Sequence, residues 1–411
     1  MLQYMPWDGF RRGKDCLFML LSTNSKIVEH MPHLLFISRF AGSNGGIEGY
    51  QRDMARLLRG NGFTVDFAWL ESGRDPEKFL PAFDANMTLD DALRRPDAYD
   101  LVVVHKLFDL DKLRAVQKHF HHTALFVHDH DIYCPRHHYY TPFGRTNCHR
   151  CFQTLRCGLC AFASHPRHWE GGLTAYGRSL FRDFPKRLAI FKGFPKIAVL
   201  SDFMRRNLVL NGFDNDKITI IPPCVELADG KTEPLPKRPL QLLFSGQLIR
   251  GKGLDILLEA LPKAKADFHL DVMGAGPDLP LLQSIVEKNV LQEKVTFLGW
   301  ISDKHAVYQQ HDVLLMPSRW QEPFGLVGIE AAAHGLPIIA FDLGGIHEYV
   351  RNNVNGFLIP EHDADGFVAA IDRLATDSEL LLKMGRESQA VVRGKYTPGM
   401  TLSAFREWAE G

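Results

Sequence analysis

The strongest constraint on the fold of this chain is an alternation. Short apolar runs alternate with longer segments of helical periodicity, and the alternation breaks once, at PCVELADGKTEPLPKRPL (223–240). Before the break, HLLFIS (33–38), FTVDFAWL (63–70), DLVVVHK (100–106), ALFVHD (124–129) and KIAVLS (196–201) read as strands. After it, LQLLFSG, FHLDVMG, KVTFLG, VLLMPS and LPIIAF do the same, and Leu254, Leu257, Leu258 and Leu261 share one helical face. Parallel strands need long crossovers, so this pattern predicts an α/β chain of two doubly wound, Rossmann-like domains facing across a cleft. Ligands in such sheets sit beyond the carboxyl ends of the strands.

The expected boundaries are a tail over 1–30, a first domain over 31–222 and a linker over 223–240. A second domain follows over 241–395, then a terminal helix over 396–411. A length of 411 residues suits two cores. Met31 precedes the first convincing strand, so residues 1–30 read either as a loose tail or as an upstream extension of the true start. The run LFMLL (17–21) is too short to span a bilayer and lacks a small-residue cleavage site, so a cytoplasmic protein is expected. The 48 basic and 48 acidic side chains cancel, without the basic excess of a general nucleic-acid binder, and no nucleic-acid partner is expected.

Chemistry concentrates in EPFGLVGIEAAAHG (322–335). Pro323 suits a first helical turn, and Gly335 with Pro337 stops the helix. The first amides of such a helix attract phosphate or sugar oxygens. Glu322 stands at the mouth of that site, and Glu330 about two turns further on. The pair suits the two ends of a nucleotide sugar; equally, each glutamate alone reads as a solvated or ion-paired helix residue. Lys252, in GQLIRGKG (246–253), is placed to neutralise a diphosphate, or is simply exposed. Glycine pairs open strand–helix turns at SNGGIEG (43–49) and LGGIHEYV (343–350), where a ligand can approach closely. GAGP (274–277) lacks the third glycine of a dinucleotide fingerprint, because Leu279 stands there.

Five of the seven cysteines fall between Cys134 and Cys160. Cys148, Cys151, Cys157 and Cys160 form two C-x2-C units suited to structural zinc; the short gap between the units also admits an iron–sulfur cluster, and four reduced, unligated thiols are the plain alternative. Cys134 is a substitute ligand. Asp129-His130-Asp131 has a metal-binding Asp-x-Asp form, but so short a triplet is common.

Taken together, these motifs resemble glycosyltransferases of the GT-B fold, close to family 4. The resemblance is carried by Gly45-Gly46, His128-Asp129, GQLIRGKG, LGWIS (298–302) and the long stretch from Pro317 to Leu358. It runs from about residue 33 to the end and is most specific in the second half. It implies a retaining transferase that uses a nucleotide-diphosphate sugar by front-face chemistry, with no metal or other cofactor in the chemical step. Glu322 would bind sugar hydroxyls and Glu330 the ribose. The amides of Phe324, Gly325 and Leu326 would hold sugar and phosphate oxygens, and Lys252 the diphosphate. Gly45 and Gly46 would admit the phosphate to the first domain's helix, and His128 would touch the sugar near the reacting carbon. Gln247 departs from the family's usual arginine, so either Arg250 supplies that charge or the diphosphate is held more weakly. Pro223-Cys224 replaces a frequent Asn-Gly. A subset of the family shares an HD…CPR…Cys-rich insertion.

Related enzymes often use glycan or lipid-linked acceptors. Residues 166–196 interleave basic side chains with Trp169, Tyr176, Phe181, Phe184, Phe191 and Phe194. That pattern fits peripheral contact with an anionic membrane on its inner face, or a packed helix with a solvated basic side. Two other functions compete: a nucleotide-sugar epimerase of the same fold, and a non-catalytic protein that binds sugar nucleotides or metal.

Overall fold

The computed structural model describes residues 32–42, 45–141, 145–164, 172–228, 239–301 and 303–411. The expected tail, most of the expected linker, Ser43-Asn44 and Trp169 lie outside these. Seven strands build the first sheet: β1 (His33–Ala41), β2 (Thr64–Ser72), β3 (Asn86–Thr88), β4 (Leu101–Lys106), β5 (Thr123–Val127), β6 (Lys196–Val199) and β7 (Ile218–Ile220). Six build the second: β8 (Leu240–Ser245), β9 (Phe268–Met273), β10 (Val295–Gly299), β11 (Val313–Met316), β12 (Ile338–Phe341) and β13 (Gly356–Ile359).

The strand orders are β3-β2-β1-β4-β5-β6-β7 and β10-β9-β8-β11-β12-β13, and the ladders are parallel. Each sheet therefore reverses its winding once, between β1 and β4 and between β8 and β11. Those are the topological switch points at which ligands bind in open α/β sheets. The expected strands are all present. β3, β7 and β13 were not expected; they are edge or near-edge strands of three or four residues, too short to show a period.

Burial on both faces explains the near-continuous apolar strands. Leu34, Phe36, Val65, Phe67, Val103 and Phe126 point to one face of the first sheet, whose core continues into the second half through Leu314, Ile338 and Ile329. Leu35, Ile37, Val102, Val104, Leu125 and Val127 fill the other face. The helix Pro398–Glu410 returns to the first half: Phe405 meets Phe63, Trp408 meets Phe126, and Lys196 donates to the Ala409 carbonyl at 2.8 Å. Among the described residues no helix is long and apolar enough to cross a membrane.

The structure corrects one expectation about residues 166–196. Tyr176, Phe184, Phe191 and Phe194 are buried, and Phe181 packs beside Tyr176 and Leu180. These aromatics are core, not a lipid-facing stripe.

Candidate active site

Two loops meet around Glu322. The loop after β8 ends in a short turn, Arg250–Lys252, closed by Gly253 at φ +71°. A Cβ on Gly253 would lie 1.8 Å from the Pro317 carbonyl oxygen, and one on Gly251 would strike the Trp320 ring. Only glycine lets this turn sit on the loop after β11. Arg319 fastens it: its guanidinium donates to the Arg250 carbonyl at 2.7 Å and grips both carboxylate oxygens of Asp255. Gly274 and Gly276 of GAGP support the same turn from behind, lying against the backbone of Gly246 and Leu248. Their small size serves packing.

Lys252 is thereby delivered to Glu322, with Nζ 2.6 Å from Oε1. The Ser318 hydroxyl donates to the same oxygen at 2.6 Å. Glu322 is only 6% exposed. Burial alone would raise its carboxyl, but the charge of Lys252 and the hydrogen bonds from Lys252 and Ser318 outweigh that and hold it below the ordinary range. Glu322 is a fixed carboxylate. Gly344 presses on its backbone and Gly345 on that of Pro323 and Phe324, and the Gly345 N–H donates to the Glu322 carbonyl at 2.7 Å. This glycine pair was expected to admit a ligand; it admits the protein's own main chain.

The helix Leu326–Ala333 starts from Gly325 at φ +87°, one turn beyond Glu322. Phe324 is buried against Tyr349 and Tyr396, so it offers the site its amide and not its ring. Tyr349 donates to the Gly325 carbonyl at 3.0 Å and lies flush against Gly328. Further along the helix, Glu330 Oε2 accepts from Lys304 at 2.8 Å and from the Tyr308 hydroxyl at 2.7 Å. Arg52, on the first domain's helix Gly46–Arg59, feels the Glu330 charge. A Cβ at Gly46 would meet nothing within 4 Å, and one at Gly45 only the Glu48 side chain. Gln247 and Arg250 are exposed at the loop after β8.

The end of β5 differs from expectation in which side chains face which way. His128 is buried against Phe126 and Tyr50, and its Nε2 is paired with His105 Nδ1 at 2.8 Å. Burial pushes His105 down to about 3 and His128 well below its usual value, the latter helped by His105 and Lys106. Both rings are neutral at pH 7. His130 is the histidine that reaches the loop bearing Glu322. Its Nε2 is 2.9 Å from the Gln321 carbonyl and must donate, so its Nδ1 accepts from the Tyr133 hydroxyl. Burial lowers it to about 4.

Next to it lies a charged cluster. Lys106 pairs with the buried Asp131 at 2.8 Å and stands 4.0 Å from Asp129. Burial, then the charge of Asp131, push Asp129 up to about 7, with Glu322 adding to the rise. Asp129 is thus a carboxyl able to gain or lose a proton near neutrality. The buried Glu48 is also raised, chiefly by burial. Lys106 and Asp131 carried no signal in the sequence beyond a common triplet. Their significance comes from β4 and β5 being neighbours in the sheet.

The Cys-rich segment lies against the loop that bears Glu322. Gln321 donates to the Cys148 carbonyl at 2.9 Å, Asn147 to the Arg319 carbonyl at 3.0 Å, and His138 stacks on Trp320 at 4.1 Å. Among the described residues, no group of three or more His, Cys, Asp or Glu side chains is arranged to hold a metal ion. Cys148, Cys151, Cys157 and Cys160 form no disulfide. Cys157 and Cys160 ride on the helix Thr154–Phe162, where Cys157 Sγ takes the Gln153 N–H, while Cys151 is exposed in the loop before it.

Residues 228–391 match the family model described as glycosyl transferases group 1. An uncharacterized glycosyltransferase of Methanocaldococcus jannaschii is 31% identical over 140 residues, covering 33% of this chain and 36% of that protein. One from Haemophilus influenzae is 30% identical over 217 residues, covering 52% and 60%. The matched segments thus span less than two thirds of these relatives' lengths. The solved structure of HepE from Anabaena, in complex with UDP and glucose, superposes with a TM-score of 0.68 over 92% of this chain and 98% of that one, at 17% identity. The fold is GT-B.

Proposed function

We propose that this chain is a retaining glycosyltransferase. It moves a sugar from a nucleotide-diphosphate sugar to a hydroxyl of a glycan or lipid-linked acceptor, in the cytoplasm and in peripheral contact with the membrane. The observation that carries this reading is the pairing of Lys252 with the buried Glu322 at the mouth of the helix Leu326–Ala333. A sugar hydroxyl is a natural partner for a fixed, ionised carboxylate. A diphosphate is a natural partner for an ammonium beside helix amides. The neighbour solved with UDP and glucose supports a donor of that kind.

In the chemical step, the bond from the anomeric carbon to the diphosphate oxygen breaks and its electron pair leaves with the phosphate. The acceptor oxygen bonds to the anomeric carbon from the same face. The acceptor's proton passes to the departing phosphate oxygen, so no protein base and no metal is needed. Lys252 and the amides of Phe324, Gly325 and Leu326 stabilise the charge that develops on the leaving group. Arg250 adds to this where Gln247 offers no charge. Glu330, already oriented by Lys304 and Tyr308, receives the ribose hydroxyls. The open turn at Gly45-Gly46 faces the phosphates, and the histidines that end β5 border the sugar.

The test is thermal stability of the purified chain against UDP-, GDP- and ADP-sugars, with Glu322→Ala and Lys252→Ala alongside. A donor that binds the folded state raises the melting temperature by mass action. One donor class is expected to do so and to lose its effect in both variants. No shift from any donor would overturn the transferase reading in favour of a non-catalytic protein.

A further inference from the structure

The helix Thr154–Phe162 has two unlike faces. Gly158 and Ala161 turn inward, and Gly158 lies so close to the Phe181 ring that a Cβ would come within 2.3 Å of it. Leu155, Leu159 and Phe162, spaced i, i+4 and i+7, form the other face and are 75%, 61% and 37% exposed. Leu173, on the next helix Gly172–Arg178, is 58% exposed. Single exposed leucines mean little, but an apolar stripe at helical spacing on one face marks an interaction site.

The surroundings say what covers it. Arg156, Arg178, Arg182 and Lys186 are exposed in the same stretch. Among the described residues between Cys151 and Lys196, the only acidic side chain is Asp183, and Arg182 neutralises it at 2.7 Å. A second copy of this chain would bring these cations against their own kind. An anionic bilayer surface accepts both the leucines and the cations.

We propose that Leu155, Leu159, Phe162 and Leu173, with their basic surround, form the surface by which this chain docks on an anionic membrane. This deepens the membrane contact named in the proposed function and relies on that reading only for the acceptor. Tyr176, Phe184, Phe191 and Phe194, which helped to suggest a membrane from sequence, are buried; exposed leucines take their place. The same segment touches the Glu322 loop through Asn147 and Cys148. Docking there sets the lipid surface beside the catalytic cleft, where a lipid-linked acceptor presents its hydroxyl.

The test is flotation of the full chain with phosphatidylcholine vesicles, with and without about 30 mol% phosphatidylglycerol, at about 50 mM and about 500 mM salt. The wild type is expected to float with anionic vesicles at low salt and not with neutral ones. Leu155→Ser/Leu159→Ser, at exposed positions, should keep the wild-type melting temperature and bind about tenfold less. As a second readout, Leu159→Trp should show blue-shifted difference emission on adding anionic vesicles. Absence of vesicle binding, wild-type binding by the double variant, an unshifted Leu159→Trp, or self-association that the double variant abolishes would each overturn the proposal. A donor shift measured on the same samples separates the two readings: loss of vesicle binding with donor binding intact sinks only the membrane surface.

Discussion

At the scale of single residues, the site is governed by charges that burial makes expensive. Glu322 keeps its charge because Lys252 and Ser318 answer it. Removing Lys252 alone leaves a buried carboxylate answered only by the Ser318 hydroxyl, so Lys252→Ala should destabilise the fold by about 1–3 kcal/mol, and adding Glu322→Gln should restore part of that. Chemical denaturation of the two single variants and the double variant checks the cycle; strictly additive losses would show that the pair is uncoupled. Asp129 shows the opposite effect. Its folded value, about 7, lies above the ordinary 3.8, so the folded state holds the proton more tightly than the unfolded state. The stability this contributes is full below about pH 4 and is lost as pH rises toward 7. Asp129→Asn should therefore raise the melting temperature at pH 7.5 and flatten its fall between pH 5 and 7.5, as read in a pH series of melts. Neither effect is written in the sequence. Glu322 and Lys252 were legible as types near a helix start, but their contact depends on the β8 and β11 loops meeting. Asp129, Asp131 and Lys106 became a cluster only through the pairing of β4 with β5.

At the scale of elements, glycine decides where Lys252 and Glu322 stand. Gly253 must adopt positive φ and lie within reach of the Pro317 carbonyl. Gly253→Ala is expected to cost about 1–3 kcal/mol and to move Lys252 off Glu322, lowering kcat/KM by about tenfold to a hundredfold. Steady-state kinetics with saturating acceptor would measure it, and unchanged kinetics would separate this turn from the site. The regular strands were legible because both-face burial makes them uniformly apolar; the missed edge strands are too short to carry a pattern. GAGP lacks the third glycine of a dinucleotide fingerprint, but nothing local said that its glycines pack against the backbone of Gly246 and Leu248. The thiols teach a similar lesson. Their spacing suggested a metal, while their placement gives Cys151 exposed and Cys134 pushed up to about 12 by burial. Among the thiols of the described residues, Cys151 should react first with a thiol reagent in the native state and Cys134 last. Protection of Cys148, Cys151, Cys157 and Cys160 by added zinc would instead support the metal set that the spacing suggested.

At the scale of the whole molecule, the question is how two sheets become one cooperative object. Ser201 donates to the Pro323 carbonyl at 2.7 Å, and His130 meets the Gln321 carbonyl, so the first domain holds the backbone on either side of Glu322. Asn147, Gln321 and Phe203 add further polar contacts across the same cleft, and such contacts can exchange. The larger tie is apolar. One core runs through both halves and includes Phe405 and Trp408 of the helix Pro398–Glu410, which belongs to the second half in sequence and to the first in packing. The second half also owns a separate core around Leu242, Val272, Ile339 and Ile371, which needs nothing from the first. The intact chain should therefore unfold in a single calorimetric transition. Trp408→Ala, which empties a buried site between Phe126 and Phe405, should cost about 3–5 kcal/mol and broaden that transition. Removal of residues 398–411 should split it in two, with the later one stabilised by a nucleotide-sugar donor, because the Lys252, Glu322 and Glu330 positions all lie in the second half. A single transition that the donor shifts as a whole would mean that the cleft contacts at Ser201 and His130, and not the returning helix, are what couple the domains.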